Sequence, residues 1–201
     1  MQIEFLVEES SAEETLKHVL PRWIGNRAQW KLINLGSKYK LLRALPGRLA
    51  AYRQRIARGE DLRVIVMVDR DDDDCLLLKQ KLEVAAQQAA LPTKSAPDQK
   101  RFFVVNRIVV EELESWFIGD PAALRKAFPS LPAIDATKGI FRNPDNGGDW
   151  EALHRFLKKN GIYTSSYPKI DAARRIAPHL NLKANRSHSF RVFLDGIESL
   201  L

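Results

Sequence analysis

Apolar residues in this chain gather into short unbroken runs, and the runs end on carboxylates. Ile3 to Val7 stops at Glu8-Glu9, Val64 to Val68 stops at Asp69, and a run beginning at Arg101 and extending toward Val110 stops at Glu111-Glu112. Apolar runs without polar alternation predict strands buried on both faces, as in a parallel sheet. Gln29 to Leu35, rich in Trp, Ile and Leu, predicts a further strand, closed by a turn at Gly36-Ser37. The stretches between the runs carry helical spacing. Ser10 or Ser11 with Glu13 or Glu14 three residues on reads as a capping box, opening a helix to about Leu20 that Pro21 stops or bends. Tyr39 to Ala57 predicts a long helix interrupted near Pro46-Gly47, and Cys75 to Ala90 another.

Four strands alternating with helices predict an α/β fold, a Rossmann-like parallel sheet with helices on both faces. After Glu112 the pattern changes. Leu113 to Gly119 and Pro121 to Phe128 predict short helices, and Ser130 to Gly148 is a Pro, Gly, Asp and Asn-rich connection. Trp150 to Lys159, Lys169 to His179 and Ser187 to Leu200 then predict three more helices. The expected organisation is an α/β core over residues 1–120 and a helical C-terminal extension over 121–201, packed together as one unit.

The carboxylates at the strand ends carry the chemistry. In Val68-Asp69-Arg70-Asp71-Asp72-Asp73-Asp74, residues two apart in a strand face one side, so Asp69 and Asp71 are expected to reach one hard cation. Asp72, Asp73 and Asp74 suit the N-cap and first turn of the following helix. In a parallel sheet the ends of all strands lie on one edge, where α/β proteins place their sites. Glu8, Asp69, Asp71 and Glu112 are therefore the candidate metal ligands, for magnesium or manganese, with Glu8, Asp69 and Asp71 the candidate catalytic residues. Glu8 is alternatively a general acid or base, its pKa raised by neighbouring carboxylates. Glu114 is the weaker partner of Glu112. Trp116 and Phe117 read as core, and Asn185 or Ser187 as a cap for the last helix. The four histidines show no ligand spacing, and the lone Cys75 reads as a small buried hydrophobe.

Charge narrows the partner. The chain has 201 residues and a net charge of +7, but the excess is segregated. Lys38 to Arg63 holds eight basic residues against Glu60 and Asp61, and residues 151–201 hold nine against four, while the remainder is slightly acidic. Cationic segments beside an acidic metal site suit a polyanion, so nucleic acid is the expected partner. Lys38, Lys40, Arg43, Arg53, Lys169 and Arg186 are the candidate phosphate contacts. No segment has the roughly 18 apolar residues of a membrane span, and the chain opens on a strand-like run with no signal peptide, so a cytoplasmic protein is expected.

These residues carry a family resemblance. Glu8 after a first strand and Asp69-x-Asp71 after a later one resemble the Toprim domain of topoisomerases, primases and nucleases of the overcoming-lysogenization-defect type. Across nearly the whole chain, Phe5-Leu6-Val7-Glu8-Glu9-Ser10-Ser11, Leu20-Pro21-Arg22, Val68-Asp69-Arg70-Asp71, Glu112 to Asp120 and Asn185-Arg186-Ser187-x-Ser189-Phe190 resemble a bacterial Toprim-like family known as domain of unknown function 4276. The resemblance implies a stand-alone, magnesium-dependent nuclease (a hydrolase) of bacterial or phage defence or repair, working beside an ATPase partner, with an oligomer allowed. The alternative is a non-catalytic nucleic-acid-binding module or the regulatory subunit of an ATPase complex. Toprim domains usually carry glycine after the first glutamate; this chain has Glu9.

Overall fold

The computed structural model describes residues 1–147 and 149–201, so Gly148, the end of the expected 130–148 connection, lies outside the described residues. Four strands form one parallel sheet: β1 (Gln2–Val7), β2 (Gln29–Asn34), β3 (Leu62–Asp69) and β4 (Val104–Val109), in the order β2-β1-β3-β4. α1 (Ser10–Ile24), α2 (Lys38–Ala57) and α3 (Cys75–Gln88) connect them. α4 (Glu114–Ile118), α5 (Pro121–Ala127), α6 (Trp150–Lys159), α7 (Lys169–Ile176) and α8 (His188–Glu198) follow, with single 3-10 turns at Gly139–Phe141 and Ala177–His179. This is the expected α/β, Rossmann-like architecture.

Alternation along each strand divides the core. Ile3, Phe5, Val7, Ile65, Met67, Val105 and Val109 face α1 and the helices of the second half, while Leu6, Val64, Val66 and Val68 face α2 and α3. The first of these clusters draws in Trp116, Phe117, Leu153, Ile176, Phe190 and Phe193, all essentially inaccessible. The helices from residue 121 onward thus complete the cover of one sheet face, and the burial that stabilises them is shared with β1, β3 and β4.

Several boundaries differ from expectation. Pro21 lies inside α1, which continues to the fully buried Ile24. The Arg22 guanidinium fixes this last turn by donating to the carbonyls of Ala177, Pro178 and Leu180. Pro46 likewise does not interrupt α2, because the buried stripe Leu41, Leu45, Leu49 and Tyr52 runs past it and outweighs the lost hydrogen bond. β4 starts at Val104 because Asp98 and Arg101 exchange backbone hydrogen bonds in a tight turn, with Gln99 and Lys100 left-handed at φ 44° and 69°. Glu9, not Ser10 or Ser11, occupies the N-cap of α1 and accepts from the Ser11 hydroxyl instead of closing a capping box. Cys75 is exposed at the start of α3, where its helix faces outward.

Candidate functional site at the carboxyl edge of the sheet

The connection from β1 leads outward to β2, and the chain returns on the other side of β1 as β3, so the topological switch point lies between β1 and β3. Glu8 and Asp69 stand there. Both are buried, at 6% and 4% exposure. A Glu8 carboxylate oxygen accepts the Asp69 backbone N–H at 2.8 Å, and Asp69 Oδ2 accepts the Leu113 N–H at 3.4 Å. The ends of β1, β3 and β4 are thereby tied into one locus. Burial, with the charges of Asp71 and Glu9 behind it, pushes the Glu8 carboxyl up to about 7. Burial raises Asp69 well above the usual carboxylate range, and Glu8, Glu9, Glu114 and Asp71 add to it. Glu9 has φ −139°, ordinary extended backbone, so this turn has no need of glycine.

The shared-face expectation for Asp69 and Asp71 is corrected. β3 ends at Asp69, and Asp71 is exposed in the left-handed region at φ 47°. Its N–H donates to Glu111 O at 3.2 Å, and Glu111 is left-handed too, at φ 55°. Two non-glycine residues in that region cost of order 1–3 kcal/mol each, strain of a kind that collects at functional sites. Arg70 pairs with Glu111 at 2.6 Å and fastens the two loops together. Asp71 still lies close enough to raise both Glu8 and Asp69 electrostatically.

Lys38 is corrected as well. It opens α2 at this edge and is ion-paired to Asp71 at 2.6 Å and Asp73 at 2.9 Å, so it serves the acidic loop and is not free for a phosphate. Asp74 caps α3 by accepting from Leu77 N–H.

Two further carboxylates approach from the β4 side. Glu112 accepts the Trp150 N–H at 3.0 Å at the start of α6, and burial raises its pKa. Glu114 is 0% exposed, and neither carboxylate oxygen has a hydrogen-bond partner among the described residues. Burial pushes it up to about 7. The Tyr167 hydroxyl is also buried without a well-formed hydrogen bond; burial and then Glu114 hold its pKa high. Lys169, at the start of α7, completes the group. Burial alone would lower its pKa, but Glu114, Glu9, Glu112 and Asp69 outweigh that and keep it charged. Sequence reading placed Lys169 on a phosphate and missed Trp150 and Tyr167; no periodicity or local motif links residues 150–169 to the strand ends that precede them.

The donor set suits a hard cation in composition. Its members are carboxylate oxygens, Glu114 has no hydrogen-bond partner among the described residues, and the neighbouring carboxylates raise one another's pKa. The set is not closed: among the described residues no three acidic, His or Cys side chains are arranged to hold a metal ion.

Of the remaining basic candidates, Lys40, Arg43 and Arg53 are exposed along α2, a 20-residue helix with no acidic residue. Arg186 is corrected to a structural role: its guanidinium donates to the carbonyls of Ala136, Phe141 and Arg142. It belongs to a seam between α4 and the start of α8. Asn185 Nδ2 donates to Trp116 O at 2.8 Å, Trp116 Nε1 donates to Ser189 Oγ at 3.1 Å, and Arg186 N–H donates to Gly119 O at 2.9 Å. Ser187 caps α8 through Phe190 N–H, as expected. Asp145 accepts from Ser187 Oγ and from the His188 and Ser189 N–H groups. The stretches 112–120 and 185–190 therefore pack on each other.

A family model described as Domain of unknown function (DUF4276) matches residues 7–198. No curated protein and no solved structure matches the chain.

Proposed function

The chain belongs to this family of unknown function, and from that premise we propose that it is a Toprim-like nuclease, dependent on magnesium or manganese, that hydrolyses nucleic-acid phosphodiesters. One observation carries the reading: Glu8 and Asp69 are buried at the sheet's switch point and Glu114 is buried on the β4 side of it, with few hydrogen bonds to the three carboxyls among the described residues. Glu8 and Asp69 would hold the ion, with Asp71 and Glu112 as the nearest further donors. When bound, such an ion supplies a Lewis acid for a phosphoryl oxygen and lowers the pKa of water. Alternatively, with the ion on Asp69, Glu8 would be the group that takes a proton from water, its carboxyl being raised to about 7 by burial. Lys169 offers a fixed positive charge for the scissile phosphate, and Lys40, Arg43 and Arg53 on α2 grip the backbone without reading bases. Bacterial or phage defence or repair beside an ATPase is the setting that the Toprim resemblance suggests.

The open coordination set favours one rival, a nucleic-acid-binding module or ATPase-complex subunit without catalysis. Labelled DNA and RNA, single- and double-stranded, incubated with magnesium or manganese and either wild type or Asp69→Asn separate the two. Cleavage by wild type alone, with binding kept in the variant, is expected. Binding without cleavage by both would establish the rival, and neither binding nor cleavage would end both readings.

A further inference from the structure

Trp116, Phe117, Phe190 and Phe193 are packed away at 1% exposure or less. Trp150 is partly exposed, as Phe156, Tyr163 and Tyr167 are, but unlike those three it does not pack against a core cluster among the described residues. Its place is nonetheless fixed. Its N–H is held by Glu112 at 3.0 Å. Its ring lies nearly parallel to those of His154 and Tyr167, at 21° in each case, with centroids 6.4 and 6.2 Å away. The Lys169 ammonium sits over the indole, 5.9 Å from its centroid.

A tryptophan used only for packing would be drawn inside, and one used only as surface would not be backed by two rings and a backbone anchor. Its backbone is bonded to Glu112 of the carboxylate cluster, and the ring lies against Lys169, whose charge Glu114, Glu9, Glu112 and Asp69 sustain. Across the edge of the sheet, α2 leads away from the cluster with Lys40 and Arg43 exposed and no acidic residue on the helix. An aromatic face next to a fixed ammonium matches a nucleotide: the base stacks and its phosphate meets the charge. Bases inside a duplex already have both faces covered by their neighbours.

We propose that Trp150 and Lys169 form a stacking platform for an unpaired nucleotide, so that the strand brought to the carboxylate cluster is single-stranded or frayed. This rests on the nucleic-acid reading above and specifies its substrate. Every base has a π-face, so the platform selects strandedness and not sequence.

The test is binding without metal, so that cleavage plays no part. Fluorescence anisotropy compares a labelled oligothymidylate with a labelled hairpin duplex on wild type, Trp150→Phe and Trp150→Leu. Wild type is expected to bind the single strand roughly ten-fold or more tightly than the duplex, Trp150→Leu to lose most of that preference, and Trp150→Phe to keep it. Trp150 emission, taken as the difference between wild type and Trp150→Phe, is expected to be quenched by the single strand; this readout stands even if Trp150→Leu folds poorly. Equal binding of the two forms, a preference for duplex, or emission unmoved by the single strand would overturn the platform and leave the nuclease reading in place. No binding of either form, without metal and again with calcium in place of magnesium, would overturn both.

Discussion

Two groups of buried polar side chains in this molecule are built in opposite ways. In the seam between α4 and α8, polar groups are spent on one another: Asn185 on Trp116 and Ser187, Ser189 on Trp116, Asp145 on three donors, and Asp120 on the Ala123 and Asn181 N–H groups. Ser115 Oγ is the exception among the described residues. At the carboxyl edge, by contrast, Glu114 has no partner, and for Glu8 and Asp69 one hydrogen bond each is found among the described residues. Buried polar groups are normally satisfied, and charges left unsatisfied are costly. The seam therefore explains itself as architecture. The edge cluster is left with raised carboxyls and few hydrogen bonds among the described residues, and it lies where α/β sheets receive their ligands.

If that contrast is right, substitutions in the two places should move stability in opposite directions. The largest effect is expected at Trp116: replacement by Ala should cost about 3–5 kcal/mol in urea denaturation, through the lost packing on Phe190 and Phe193. Gly119→Ala should follow at about 3 kcal/mol, because an added Cβ would lie 2.7 Å from the Ser187 nitrogen and collide with Asn185 Oδ1.

At the edge the sign reverses. A Glu114 carboxyl raised from 4.5 to about 7 keeps its proton in the folded protein after the unfolded chain has lost it. Its contribution to stability is thus complete below about pH 4.5, falls as the pH rises through about 7, and then stays level. Glu114→Gln should match wild type near pH 4 and be more stable by about 2–3 kcal/mol at pH 8 in the absence of metal, measured as paired melts across pH. A variant less stable than wild type at pH 8 would place Glu114 with the seam residues. The smallest change is expected on α2, where replacing Lys40, Arg43 and Arg53 by Gln should leave melting unaltered and reduce the salt slope of single-strand binding by roughly 2.

Much of the fold was legible because parallel strands declare themselves twice, as apolar runs and as abrupt polar ends. Val64 to Asp69 and Ile3 to Val7 fell within β3 and β1 for that reason. Pro21 and Pro46 misled because a proline's local cost is read from sequence, whereas the burial that offsets it, at Ile24 and around Leu49, belongs to tertiary packing. For the site, the convergence of Glu8 and Asp69 followed from topology alone. The geometry of Asp71 did not, since a two-residue spacing constrains direction only while the strand lasts, and β3 ends at Asp69. Lys38, Lys169 and Arg186 looked alike as isolated cations. Only their neighbours separate an ion pair with Asp71 and Asp73, a charge facing the carboxylate cluster, and a clamp on the carbonyls of Ala136 and Phe141.

The most direct test of the edge cluster is calorimetric titration of magnesium and manganese into wild type and Asp69→Asn near pH 7, in two buffers of different ionisation heat. Binding by wild type with release of protons from the raised carboxyls, and its loss in Asp69→Asn, is the expected result. Absence of binding by wild type, with a single-stranded oligonucleotide present as well as without it, would contradict a cation site at this edge.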